Sequence, residues 1–140
     1  MIDWDVISAS LPEFAHGLKV CLVLLVLSVG TGFFLSIPLA VARVSRRAWL
    51  WRPVWLFTYV IRGTPLLVQL FLIYYGLAQF EAVRESVAWP LLREAWFCAW
   101  LALAINTTAY TTEIFAGARR APPTGEAEAA RANGQAGAQR

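Results

Sequence analysis

Two charged residues stand out because of where they lie. Arg62 is the only charge between residues 53 and 80, and Glu113 is the only charge between 95 and 118. An ionised side chain in apolar surroundings is costly unless it meets a partner or a wet path, so both are candidate functional residues. Uncharged polar residues accompany them. At helical spacing Thr58, Arg62, Pro65 and Gln69 share one face, with Thr64 beside them; Asn106, Tyr110, Glu113 and Gly117 share another. Two chemistries are open to this set. The guanidinium and the carboxylate can pair across two helices, directly or through water. Alternatively Glu113 faces a hydrated path and attracts a cationic solute. The depths favour the pair: Arg62 lies about 14 Å and Glu113 about 8 Å from the same end of their segments at 1.5 Å per residue. Arg62, Thr64, Gln69, Asn106, Tyr110 and Glu113 are the candidate path residues.

Catalytic chemistry finds no comparable set. His16 stands alone, and Cys21 and Cys98 lie in uncharged apolar runs without metal-ligand spacing. No glycine-rich phosphate cradle occurs. The expectation is a protein that is not an enzyme and holds no metal or cofactor.

The elements that carry these residues are long and apolar. Of 140 residues, 59% are apolar and 15% charged, against about 45–50% and about 25% in ordinary soluble domains. A body this small has too little interior to bury seven Trp and eight Phe. A bilayer-spanning helix needs about 20 predominantly apolar residues. Three segments qualify, at 20–42, 53–80 and 95–118, and the reading is an all-α membrane protein with three transmembrane helices. The remaining parts are an N-terminal segment 1–19, connections 43–52 and 81–94, and a tail 119–140.

Charge sets the expected orientation. The 43–52 connection holds four arginines and no acid, and the tail holds four more. Together they carry eight of the 12 basic residues, and lysine and arginine collect on the cytoplasmic side. The N-terminus and 81–94 are therefore expected outside, the 43–52 connection and the C-terminus in the cytoplasm. The net charge of +3 is too small to indicate nucleic acid. Within the first span Ser28, Gly32, Ser36 and Ala40 recur every four residues, a stripe along which another helix can approach closely. Gly30 and Pro38 are expected to loosen or kink that helix. Gly63-Thr64-Pro65 is expected to interrupt the second, because proline lacks the N–H of the helix ladder. In the tail, Glu126 and Glu128 early and Arg131 later predict a short cytoplasmic helix ended by Gly134.

Three blocks carry a family resemblance. Val60-Ile-Arg-Gly-Thr-Pro-Leu-Leu-Val-Gln-Leu-Phe-Leu-Ile-Tyr-Tyr-Gly76, Asn106-Thr-Thr-Ala-Tyr-Thr-Thr-Glu-Ile-Phe-Ala-Gly117 and Thr124-Gly-Glu-Ala-Glu-Ala-Ala-Arg-Ala-Asn-Gly134 resemble, in order and spacing, permease subunits of polar and basic amino acid ABC importers. The M-type subunits of histidine and arginine/ornithine systems are the nearest in character. The resemblance implies part of a five-helix type I ABC importer permease in a bacterial inner membrane. It implies as partners two cytoplasmic ATP-binding subunits that perform all ATP hydrolysis, a second permease subunit, and a periplasmic substrate-binding protein, with lipid around the spans. The third block resembles the start of the EAA loop, in which Glu126, Glu128, Ala129, Ala130 and Gly134 would dock the ATPase. Ala127 and Asn133 depart from the larger apolar residues of that loop. Family members continue through two further spanning helices, whereas this sequence stops six residues after Gly134. The expectation is a truncated or frameshifted permease or a fragment. The alternative is a non-transporting remnant or a small three-span membrane adaptor, against which the intramembrane Arg62 and Glu113 count.

Overall fold

The computed structural model describes residues 4–120 and Gly125. Within them every regular element is helical. Glu126, Glu128, Ala129, Ala130 and Gly134, with the cytoplasmic helix expected around them, lie outside the described residues.

Helix α1 runs Trp4–Arg43 without a break, passing through Pro12, Gly30 and Pro38. It is longer than the 20–42 segment because the polar residues before Val20 continue the same helix, which the apolar run alone does not register. Its Ser10–Arg43 stretch is long and apolar enough to cross a membrane. A turn follows, in which Ser45 Oγ accepts the Arg47 N–H at 3.3 Å. Helix α2 is Ala48–Gly63. Helix α3 is Leu66–Phe71, drawn out through a wide turn at Leu72–Gly76 and a tight one at Leu77–Gln79. The stretches Ala48–Gly63 and Leu66–Gln79 meet the length and hydropathy needed for a span only together, and they are bent by 106° at the break. Short helices α4 (Glu81–Arg84) and α5 (Trp89–Leu92) lead into α6 (Ala95–Arg120). The threonines and Asn106 of α6 lower its hydropathy, and much of that polar surface is turned inward.

The break has a local cause. Thr64 precedes proline and takes the extended conformation that pre-proline sterics favour (φ −113°, ψ 141°), and Pro65 is extended too (φ −61°, ψ 138°). Two successive extended residues turn the chain through the corner.

Packing centres on α6. The α1 stripe foreseen from the spacing is buried: Ser28, Gly32, Ser36 and Ala40 all face inward. Opposite them α6 buries Ala102, Ala104, Thr108, Ala109, Thr112 and Ala116. Small faces against small faces bring the backbones close. A Cβ placed on Gly32 would stand 2.7 Å from Thr107 Cβ and Cγ2 and 3.1 Å from the Thr108 backbone nitrogen, inside van der Waals contact. Phe33 closes the seam by an edge-to-face contact with Phe115 at 5.6 Å. The outward faces of α1 and α2 are lined with large apolar side chains such as Phe34, Leu35, Leu56 and Tyr59.

Candidate functional site

The polar residues of α6 meet the other helices at successive heights. Asn106 donates from Nδ2 to Gln69 Oε1 at 3.2 Å. One turn on, Tyr110 lies under Arg62, whose guanidinium carbon is 5.3 Å from the ring centroid, a cation–π distance. Lower again, Glu113 Oε1 accepts from Thr58 Oγ1 at 2.7 Å and from Arg43 Nε at 2.6 Å. At the end of the helix, Arg120 donates to the Arg43 carbonyl at 3.1 Å.

This arrangement corrects the expected ion pair. Glu113 pairs with Arg43, the last residue of α1, and not with Arg62. Arg43 and Glu113 keep only 12% and 16% of their side-chain surface exposed, so the pair is largely withdrawn from solvent. Arg62 is exposed and rests on Tyr110. The competing geometry is decided by reach. Arg43 closes α1 beside the lower end of α6, and Thr58 sits buried on the α2 face between them. Arg62 lies one turn higher, level with Tyr110. By its charge Arg43 belongs with the arginine-rich 43–52 connection, but α1 extends to include it. A usable signal was present, since Arg43 directly follows the apolar run and Glu113 is about one turn from the same boundary.

Gln69, expected as a path residue on the face of Arg62, has a definite task in the structure. Pro65 carries no N–H, so the Ile61 carbonyl four residues back loses its ladder donor. Gln69 Nε2 reaches that carbonyl at 2.6 Å, the Thr64 carbonyl at 3.0 Å and Thr64 Oγ1 at 2.8 Å. Thr64 Oγ1 in turn donates to the Val60 carbonyl at 3.0 Å. A polar side chain thus replaces the backbone donor that proline removes, as a break in an apolar setting requires. Gln69 is 6% exposed, so this replacement is made away from water.

The candidates therefore fall into two groups. Gln69, Thr64 and Asn106 bridge the corner of the broken helix and α6. Arg62 and Tyr110 present a cation and an aromatic hydroxyl at the surface beside it. Glu113 is engaged with Arg43 and Thr58. Gly117, placed on the same α6 face, has open space around it. Thr112 Oγ1 and Trp100 Nε1 are buried without a hydrogen-bond partner among the described residues.

Comparison with known proteins decides the family. Residues 13–140 match the binding-protein-dependent transport system inner membrane component family. The chain belongs to that family. Family members are components of transport systems in the inner membrane, and the chain is accordingly a membrane component. It is 51% identical over 120 residues to the octopine transport system permease protein OccM of Rhizobium meliloti, covering 86% of this chain and 49% of that protein. It is 45% identical over 134 residues to the nopaline transport system permease protein NocM of Agrobacterium fabrum, covering 95% and 56%. With the histidine/lysine/arginine/ornithine transport system permease protein HisM of Escherichia coli K12 it shares 50% identity over 119 residues, covering 84% and 50%. The family member therefore spans about half the length of the curated relatives it matches. Among solved structures, an amino acid ABC transporter crystallised with histidines superposes with a TM-score of 0.74 at 36% identity, over 96% of this chain and 58% of that one.

Proposed function

We propose that this chain is a permease subunit of an ATP-driven amino acid importer and forms part of its translocation path. The observation that carries the proposal is the corner between α2 and α3, where Gln69, Thr64 and Asn106 bridge a broken apolar helix beside the exposed Arg62 and Tyr110. Broken helices with polar linings are how membrane proteins place binding groups at depth. Arg62 suits the α-carboxylate that every amino acid carries, and Tyr110 offers a ring and a hydroxyl next to it. Glu113, held by Arg43 and Thr58, sets helix positions and is not free to meet cargo. The names of the relatives, which include histidine, lysine, arginine and ornithine systems, support basic amino acids as the substrate class.

In this reading α1, the bent α2–α3 pair and α6 are three spans. The arginine-rich 43–52 connection and residues beyond 118 face the cytoplasm, and 81–94 faces the periplasm. Glu126, Glu128, Ala129, Ala130 and Gly134 dock a cytoplasmic ATPase, which performs the hydrolysis. A second permease subunit faces the Arg62–Tyr110 surface, and a periplasmic binding protein delivers the substrate.

The test is uptake of labelled arginine, lysine and histidine by cells carrying this permease with its ATPase and binding protein. Arg62→Gln is expected to reduce uptake strongly and Arg62→Lys less so, with the protein still in the membrane. Uptake of all three that is indifferent to deletion of the permease overturns the proposal.

A further inference from the structure

The ends of α1 and α6 and the start of α2 flank a shallow, open cleft of ≈ 290 Å³ lined by Arg43, Val44, Ser45, Trp51 and Arg120. No carboxylate is among the lining residues that the structure describes. Glu113 neutralises Arg43 from behind, on the helix side. Arg120 brings a second guanidinium, oriented by its bond to the Arg43 carbonyl. Arg52 lies outside the lining, 5.9 Å from the centroid of the Trp51 ring. Ser45 Oγ accepts the Arg47 N–H, which leaves its own proton to donate. Guanidinium groups, a hydroxyl and an indole around one cleft form a donor set for a phosphate oxyanion.

We propose that this cleft binds the phosphate of an anionic lipid headgroup. Its place in the fold favours a lipid over a soluble phosphate. The cleft sits where the apolar Ser10–Arg43 stretch ends and the arginine-rich turn begins, at headgroup depth for a spanning helix. Ile37 and Val41, within two turns on α1, are exposed apolar side chains along which an acyl chain can lie. Basic pockets between transmembrane helices are a recurrent form of anionic headgroup site, and an interfacial tryptophan fits the same level. The inference rests on the inner-membrane family assignment and is independent of whether the chain transports anything.

The full chain is reconstituted in nanodiscs of phosphatidylglycerol and phosphatidylcholine, and retained lipid is read by native mass spectrometry. Phosphatidylglycerol is expected to be retained in preference. Arg120→Gln is expected to lower that preference roughly fivefold, the scale of one arginine at an anionic surface, while Arg93→Gln, beside α5, leaves it unchanged. Circular dichroism checks that the variant is folded; should it not be, Ser45→Ala, which removes the hydroxyl of the lining, carries the same direction of change. Equal retention of the two lipids, or a preference indifferent to Arg120→Gln and Ser45→Ala, overturns the proposal. A competing arm adds millimolar inorganic phosphate. Continued retention of the lipid supports the site as a lipid site, and displacement by phosphate alone assigns it to soluble phosphate and overturns the lipid assignment.

Discussion

The side-chain amide of Gln69 stands 2.6 Å from the carbonyl of Ile61, the group that Pro65 leaves without a donor. Removing the amide takes this donor from the Thr64 carbonyl and leaves the Ile61 carbonyl only the longer bond from Thr64 Oγ1 at 3.3 Å, in an apolar setting. Gln69→Leu is therefore expected to destabilise the fold by about 1–3 kcal/mol. The loss should shrink in Pro65→Ala, where the backbone N–H returns. Reversible unfolding in mixed micelles measures both, and an equal loss with or without proline would contradict the capping role.

The Arg43–Glu113 pair gives a sharper test. Removing one partner strands a charge that is largely withdrawn from water, at a cost on the order of 3–5 kcal/mol for a fully buried pair and less here because both retain some exposure. Arg43→Ala and Glu113→Ala should be coupled well above about 0.5 kcal/mol in a double-mutant cycle. Arg62→Ala and Glu113→Ala should add. Coupling that appears in the second cycle and not the first would restore the pairing read from depth alone.

Gly32 is expected to reject any side chain, since a Cβ there stands 2.7 Å from Thr107. Gly32→Val should cost about 1–3 kcal/mol through overpacking, partly recovered by Thr107→Ala. Gly30→Ala, inside the same helix with open space around it, should instead stabilise slightly, by up to about 1 kcal/mol. The same unfolding assay separates these outcomes.

Thr112 and Thr58 make a matched pair. Both are buried, but only Thr58 bonds Glu113, and Thr112 Oγ1 has no partner among the described residues. Thr112→Val should be neutral or slightly stabilising, whereas Thr58→Val should cost on the order of 1 kcal/mol. Equal effects would mean that the hydroxyls are equivalent.

Orientation is open to reporter fusions. Junctions after Arg47 and Arg120 should report cytoplasm, and one after Glu85 should report periplasm. The reverse pattern would overturn the charge argument.

Much of the architecture could be read from residue types because it depends on local rules. Spacing of four among Ser28, Gly32, Ser36 and Ala40 marks a packing face whatever lies opposite. Thr64-Pro65 breaks a helix by its own sterics. Which polar groups meet was less legible, because that depends on where helices end relative to one another. Arg43 looked like a loop residue, yet the helix carries it to the level of Glu113. The reach of Gln69 back across the corner follows from a 106° bend that proline permits but does not dictate.

The contacts of α6 also govern how the protein can move. Asn106, Tyr110 and Glu113 are anchored at three levels over about 10 Å, to α3, α2 and α1 in turn. Turning α6 about its axis would detach all of them at once, and sliding it by one turn would set each opposite the wrong neighbour. Neither screw motion keeps these contacts, whereas a tilt of α6 together with α1, α2 and α3 does.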